Sequence, residues 1–367
     1  LADDRAGLLR SDAFRSIFFI LASAAIMWAS YKWGKIKPVT AAIILAALAL
    51  VDLWTIDKRY LNDSHFVTKR EFKNAFAKRP VDELILQDTD PHYRVLDLSV
   101  NTFNDAYVSY HHKTIGGYSP AKLQRYQDLI ERNISTEIRV LGQQFGNIQT
   151  IEDAQNAMVY LPVLSMLNTK YIILGASVPP VENTFRLGNA WFVNEIVPVN
   201  NANEEIETLK VVNPAFQAVV SADFIQQNDA LAEEVQRLAA NVGKEEEAVA
   251  DMSLNNFIEL ASYAPNKLVY NYSSNKPQIT LFSEVYYNPG WVATITPAAG
   301  GEAKPLDIFR ANWILRGAVV PAGDYTIEFT FNPPCFEKGE VYSMISSGIL
   351  FLLLLGGLGA MFIRRKK

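Results

Sequence analysis

Apolar residues in this chain gather into three runs, and the long stretch between the second and third reads like ordinary globular protein. The first run covers 16–31 (SIFFILASAAIMWASY), the second 38–56 (PVTAAIILAALALVDLWTI) and the third 342–363 (YSMISSGILFLLLLGGLGAMFI). A bilayer core of ~30 Å needs roughly 20 apolar residues in helical form. The third run meets that length, the second nearly does, and the first does if its ends reach the headgroups. The pattern predicts three membrane-spanning helices.

Flanking charge predicts their direction. The link 32–37 is short and carries Lys32, Lys35 and Lys37, and the chain closes on Arg364, Arg365, Lys366 and Lys367. Helix parity puts both on one face, and the positive-inside bias makes that face cytoplasmic. Arg5, Arg10, Arg15, Lys58 and Arg59 fall on the other side, so the count leans seven to five. Asp52, inside the second run, is a functional candidate by its position in lipid. It lies about one turn from the outer end beside Trp54, where reach to water is the plainer reading.

The stretch between the spans divides by periodicity. Residues 65–90 read as polar helix broken at Pro80, and 93–98 as an alternating strand. After Gly116-Gly117-Tyr118, Ser119 can cap a helix with Pro120 at its first position and Leu123, Tyr126, Leu129, Ile130 and Ile134 on one face. A further helix ends at Leu167, and 170–175 reads as a buried strand. Residues 186–199 suggest a hairpin around Gly188-Asn189. The acidic Glu245-Glu246-Glu247 marks a linker or solvated edge. Beyond it strands take over: Leu268, Tyr270 and Tyr272 alternate, Ile279 and Leu281 follow, then 292–296 and 313–320. After a turn at 321–324, Tyr325, Ile327, Phe329 and Phe331 share a face. That spacing predicts a small β-sandwich, closed by Pro333 and Pro334.

The expected fold is a membrane protein with three transmembrane α-helices and an extracytoplasmic α+β domain ending in a small β-sandwich. Residues 1–15 would end an outer loop, 32–37 form a cytoplasmic loop, 57–245 an outer α/β region, 246–341 the sandwich-like region, and 364–367 a cytoplasmic tail. No signal peptide precedes Leu1, so the expectation is a piece of a longer protein whose earlier helices complete the bundle.

Composition changes this picture little. Hydrophobic residues are 49% and charged residues 20%, and a net charge of −5 argues against nucleic acid as the main partner. The single cysteine, Cys335, forms no intrachain disulfide and is expected to be partly buried near the membrane. No C-x-x-C or His-rich spacing predicts a metal site, and no nucleophile elbow, Walker loop or dinucleotide fingerprint predicts a cofactor or a catalytic set. The sequons at Asn62, Asn133 and Asn271 matter only in a glycosylating secretory pathway.

Two groups are candidate binding residues. His111 and His112, before the Gly116-Gly117-Tyr118 turn, could hold phosphate or move protons, although neighbours on a strand would face opposite ways. Tyr286, Tyr287, Trp291 and Trp313 could stack on sugar rings, yet a sandwich core buries the same residue types. His111, His112, Tyr118 and Trp291 are carried forward as substrate-binding candidates.

Five segments in order, IGGYSPAKLQRYQDLI (115–130), LPVLSMLNTKYIILG (161–175), LGNAWFV (187–193), SEVYYNPGWVATI (283–295) and RGAVVPAGDYTIEFTFNPP (316–334), precede the final apolar run. In this the chain resembles the C-terminal portion of YfhO-type bacterial membrane proteins, and its Asn-rich outer stretch looks like the Bacteroidetes members. The resemblance covers essentially the whole chain. Where relatives often carry a tight Asp-Gly turn, this chain has Pro297-Ala298-Ala299-Gly300-Gly301. The resemblance implies a multi-spanning glycosyltransferase of the GT-C type in the bacterial inner membrane. Its donor would be a polyprenyl-phosphate-linked sugar, its acceptor a glycan or lipid of the envelope. It puts the catalytic acid amino-terminal to these residues, so no residue here inherits a catalytic role. The alternatives are a non-catalytic sugar-binding or envelope-assembly protein of the same architecture, or an anchored protein whose outer domain binds a protein partner.

Overall fold

The computed structural model describes residues 2–34, 36–145, 150–240 and 256–365. The expected linker at Glu245-Glu246-Glu247, and Lys35, Lys366 and Lys367 of the flanking charges, lie outside the described residues. The chain divides into two units, Leu1–Ala77 and Lys78–Lys367.

In the first unit, helix α1 (Ala2–Trp33) and helix α2 (Pro38–Tyr60) are joined by a short link with Gly34 at φ 60°. Pro38 opens α2, where its missing N–H would have had no partner. Helix α1 starts fourteen residues before the expected span. Residues 2–15 are helical where a loop end was expected, because Ala, Leu and Arg propagate a helix and no proline interrupts them. Charges knit the pair: Arg59 meets Asp12 at 2.7 Å and Arg15 meets Asp52 at 3.4 Å. Asp52 therefore has a counter-ion on the neighbouring helix as well as reach to solvent. After α2 come a 3-10 turn (Asp63–His65) and the short helix α3 (Lys69–Ala75).

The second unit opens on α4 (Pro80–Ile85), which Pro80 begins rather than breaks. Strand β1 (Arg94–Asp97) runs parallel to β2 (Thr169–Ile173), and β3 (Val181–Glu182) completes that sheet. Between β1 and β2 lie α5 (Gln124–Leu129), a π-helical turn (Ile130–Ile134), α6 (Ser135–Phe145), α7 (Ile151–Asn156) and α8 (Pro162–Met166). The helix expected from Ser119 starts instead at Gln124. The Ser119 hydroxyl accepts from Ala121 two residues on, which stabilises a turn and not a cap, and Leu123 is extended. Leu129, Ile130 and Ile134 are buried as their spacing required.

The hairpin expected around Gly188 does not form. Strand β4 (Ala190–Val193) joins the sandwich, whereas β5 (Glu195–Val199) pairs in parallel with β6 (Gln217–Ser221). Asn194, between the two strands, donates its backbone N–H to Phe216. Helices α9 (Ala202–Thr208), α10 (Ala222–Gln227) and α11 (Asp229–Ala240) flank this pair.

The sandwich uses β7 (Phe257–Ala264), β8 (Lys267–Ser274), β9 (Gln278–Val285), β10 (Trp291–Pro297), β11 (Lys304–Leu306), β12 (Ile308–Ala311), β13 (Leu315–Val320) and β14 (Gly323–Phe331). One sheet has the order β11-β10-β14-β8-β7, the other β12-β13-β9-β4. Because β4 belongs to the second sheet, the sandwich reaches back across the boundary expected near residue 245. Tyr270, Tyr272, Phe282, Ala318, Ile327 and Phe329 pack between the sheets. On the other face of the second sheet, Ile279, Leu281 and Phe309 pack with Ala218, Val220 and Leu231. Strand β9 is thus buried on both faces, which is why 278–283 carries hardly any solvated position. Helix α12 (Pro334–Arg365) follows β14 after two residues and starts eight residues before the expected third span.

Among the described residues, three helices are long and apolar enough to cross a bilayer, over Arg5–Trp33, Pro38–Tyr60 and Pro334–Gly357. The sandwich core generates one prediction. Phe329 is fully buried, 4.8 Å from the Phe282 ring and 6.0 Å from the Tyr270 ring. Phe329→Ala should lower stability by about 3–5 kcal/mol, read as a shifted denaturant midpoint in near-UV circular dichroism.

Candidate functional site

The sequence candidates fall at separate places. His111 and His112 follow a 3-10 turn (Val108–Tyr110), not a strand, and their ring centroids are 6.3 Å apart. The Nε2 of His112 meets Asp82 at 3.0 Å, and Arg79 holds both oxygens of that carboxylate at 2.9 Å. Arg79 also reaches Asp97 at 2.8 Å. Burial works to raise the Asp82 pKa, but the Arg79 and His112 bonds outweigh it and hold Asp82 well below the usual carboxylate range. Burial lowers the His112 pKa, so at neutral pH its imidazole is a neutral donor to Asp82. The His111 ring packs edge-on to Tyr107 at 5.4 Å.

The glycine turn beside them is packed rather than open. A Cβ on Gly116 would lie 1.8 Å from the Thr102 carbonyl oxygen, and Gly117 (φ 99°) donates to that same oxygen at 2.7 Å. Tyr118 is exposed. Trp291 is half-buried, with the Arg316 guanidinium 4.0 Å from its ring and Phe331 at 5.2 Å. Among the described residues no hydrogen bond or ring contact joins Tyr118 or Trp291 to the histidine pair. His111 and His112 thus lie together, while Tyr118 and Trp291 stand apart from them and from each other among the described contacts.

A second ionic cluster sits where β1 meets β9. Lys113 donates to His92 Nδ1 at 2.7 Å, which leaves the proton on Nε2 to be donated to Glu284 at 2.8 Å. Arg94 donates to Glu284 at 3.1 Å, to the Ser283 carbonyl at 2.7 Å and to the Leu167 carbonyl at 2.8 Å. The His92 ring stacks on Tyr263 at 4.2 Å, and the Lys113 ammonium lies 3.3 Å over that same ring. Burial pushes the Lys113 pKa down to about 8. Burial also works to raise Glu284, but the Arg94 charge and the hydrogen bond from His92 bring it down to about 2. The polar atoms of the lysine and imidazole are all engaged, and the cluster ties these segments together.

The concave surface lies elsewhere. A recess of about 310 Å3 is lined by Leu123, Gln124, Arg125, Val285, Tyr286, Tyr287, Asn288, Arg310 and Ile314. Three pieces of chain converge there. The extended Leu123 and the first turn of α5 bring Leu123, Gln124 and Arg125, the exit of β9 brings Tyr286 to Asn288, and the β12–β13 hairpin brings Arg310 and Ile314. That hairpin turns through Asn312 (φ 47°) and Trp313 (φ 69°), two consecutive non-glycine residues in the left-handed region. Such residues cost of order 1–3 kcal/mol each unless the surroundings fix them. Here Asn312 Oδ1 accepts from the Val219 N–H at 2.8 Å, and Trp313 Nε1 donates to the Arg125 carbonyl at 2.7 Å.

Electrostatics at the recess centre on Glu205, a buried carboxylate shared by two guanidiniums. Arg310 lies 3.0 Å away and Arg125 3.6 Å. Burial, and then repulsion from Arg310, lowers the Arg125 pKa. Arg125 also covers the Trp313 ring at 4.2 Å. Of the aromatics offered for sugar stacking, Trp313 and Trp291 are therefore capped by arginines, while Tyr286 and Tyr287 reach the recess. The two tyrosines were visible in the sequence. Arg125 and Arg310 were not, being 185 positions apart with no motif linking them.

Comparison with known proteins adds no relative. The chain matches no family model, no curated protein and no solved structure.

The Glu284 cluster predicts an acid limb of stability. Its pKa is lower folded than unfolded, so its contribution is complete above the usual glutamate pKa and drains away as pH falls toward 2. That loss is on the order of 3 kcal/mol. Glu284→Gln should be less stable near neutrality and show a flatter decline between those limits. Denaturant midpoints across that pH range, wild type against variant, check it.

Proposed function

We propose that this chain forms the outer module and closing helices of a membrane glycosyltransferase of the GT-C type. The enzyme would draw sugar from a polyprenyl-phosphate carrier at the outer face of a bacterial inner membrane and pass it to an envelope glycan or lipid. The observation that carries the reading is the recess between α5, the exit of β9 and the β12–β13 hairpin, in a module linked at both ends to apolar helices. Its volume is at the low end for a ligand site, which suits one sugar residue. Tyrosine faces suit the apolar C–H faces of a sugar, and the guanidiniums and the Asn288 amide suit its hydroxyls. The sequence resemblance supplies the reaction class and puts the catalytic acid outside these residues.

No carboxylate lines the recess, and Glu205 beneath it is already shared by two arginines. The recess on this reading holds an acceptor and does not itself perform transfer. The same observation favours a second reading, a non-catalytic sugar-binding or envelope-assembly protein.

The test uses membranes containing the full-length protein and a labelled polyprenyl-phosphate sugar. Tyr286→Ala with Tyr287→Ala should raise the acceptor KM roughly tenfold, the equivalent of about 1.4 kcal/mol, with kcat little changed. Glycan binding without any transfer from that donor class would leave the second reading.

Orientation is checked at Cys335, which is exposed near the start of α12. An impermeant maleimide should label it in intact spheroplasts. Labelling only after detergent, with burial excluded by mild denaturation, would reverse the assignment of the module to the outer side.

A further inference from the structure

Residues 60–76 present apolar and cationic side chains that the protein leaves uncovered. Tyr60, Leu61, Phe66, Val67 and Phe72 are each more than half exposed, directly after the apolar helix α2. Phe72 on α3 and Phe76 at its C-terminal cap have ring centroids 5.5 Å apart, forming an aromatic pair. Lys69 and Lys73, also one turn apart, join Arg70 and Asn74 around a recess of about 350 Å3.

The acid within this helix forms no ion pair with them and offsets one of the three charges at most. Glu71 is committed to the helix start, where its carboxylate accepts the Thr68 N–H at 2.8 Å and its own N–H donates to the Thr68 hydroxyl at 3.2 Å. Asp63 is taken by Lys58 at 3.1 Å. Among the described residues no ion pair engages Lys69, Arg70 or Lys73.

An aromatic pair beside three cations, continuous with a membrane-length helix, matches what a bilayer surface accepts: apolar rings at the acyl boundary and ammonium or guanidinium groups on phosphates. We propose that residues 60–76 form an interfacial anchor for anionic phospholipid. Phe66, Val67 and Phe72 enter the headgroup boundary, and Lys69, Arg70 and Lys73 bind the lipid phosphates. Continuity with α2 and the uncompensated charge select lipid over a protein partner. The proposal does not depend on the transferase reading.

The experiment is hydrogen exchange, followed by mass spectrometry, on the full chain in nanodiscs of phosphatidylcholine alone or with added phosphatidylglycerol. Amides of 60–76 should exchange ~10-fold more slowly in the anionic discs. High salt should narrow the difference. Lys69→Gln, Arg70→Gln and Lys73→Gln together should erase the lipid dependence; these side chains are exposed, so folding is preserved. Phe66→Ser with Phe72→Ser should speed exchange in both discs. Equal exchange in the two discs would overturn the proposal. So would equal protection in detergent micelles and anionic discs, which would mean that a protein surface covers the segment.

Discussion

Glu284, near the end of β9, accepts hydrogen bonds from His92 and Arg94, and Arg94 reaches on to the carbonyls of Ser283 and Leu167. One carboxylate thereby ties strand β1, the turn after α8 and the sandwich together across nearly 200 positions of sequence. Its removal would leave the His92 Nε2–H and one Arg94 nitrogen buried without this acceptor and the guanidinium without its counter-charge, a larger penalty than the loss of one ion pair at a surface. Arg316 is under the same influence: it is fully buried, donates to the Val285 carbonyl at 2.9 Å, and lies between Trp291 and Phe329. Glu284 favours its charged form, although burial brings its pKa down to about 10. The sandwich core therefore accommodates a guanidinium among aromatic rings because a carboxylate stands near it.

That joint also fixes the exit of β9. Tyr286, two residues past Glu284, donates its N–H to the Ile314 carbonyl at 2.7 Å, so the wall of the recess is hydrogen-bonded to the strained β12–β13 turn. Trp313 in that turn is bound to Arg125 through both its indole N–H and its ring face. The three segments lining the recess are thus held by contacts outside it. Such a cavity is formed before a ligand arrives, so less ordering is required on binding.

Local signals in the sequence were readable where a single element determined its own environment. Alternation in β8 and β14 placed Tyr270, Tyr272, Ile327 and Phe329 on the buried face, and apolar runs located the three long helices. Pairing was not readable. Gly188-Asn189 looked like a hairpin turn because it separates two apolar segments, but β4 is drawn to β9 and β5 to the parallel strand β6. Ser119-Pro120 looked like a helix start, yet the hydroxyl closed a local turn first. The surroundings of the candidate residues were unreadable for a related reason. Histidines and tryptophans are conspicuous as letters, whereas His112 is tied to Asp82 and Trp291 to Arg316. The recess depends on Arg125, Tyr286 and Arg310 meeting through tertiary structure, which no spacing encodes.

The first unit bears on the flanking charges in a way their count alone does not. Of the five basic residues set against the proposed orientation, Arg15 and Arg59 reach across the helix pair to Asp52 and Asp12, and Lys58 reaches Asp63. Each acts as a structural partner, with Arg15 supplying the counter-ion that makes Asp52 tolerable within an apolar helix. Among the described residues, Arg5 and Arg10 show no such ion pair. The positive-inside bias counts Lys and Arg regardless of nearby acids, so pairing does not delete them from the tally. It does give their position a cause other than topology. Lys69, Arg70 and Lys73 are the reverse case, basic residues that have no acidic partner among the described residues, and an anionic headgroup layer is an environment in which that arrangement is stabilising.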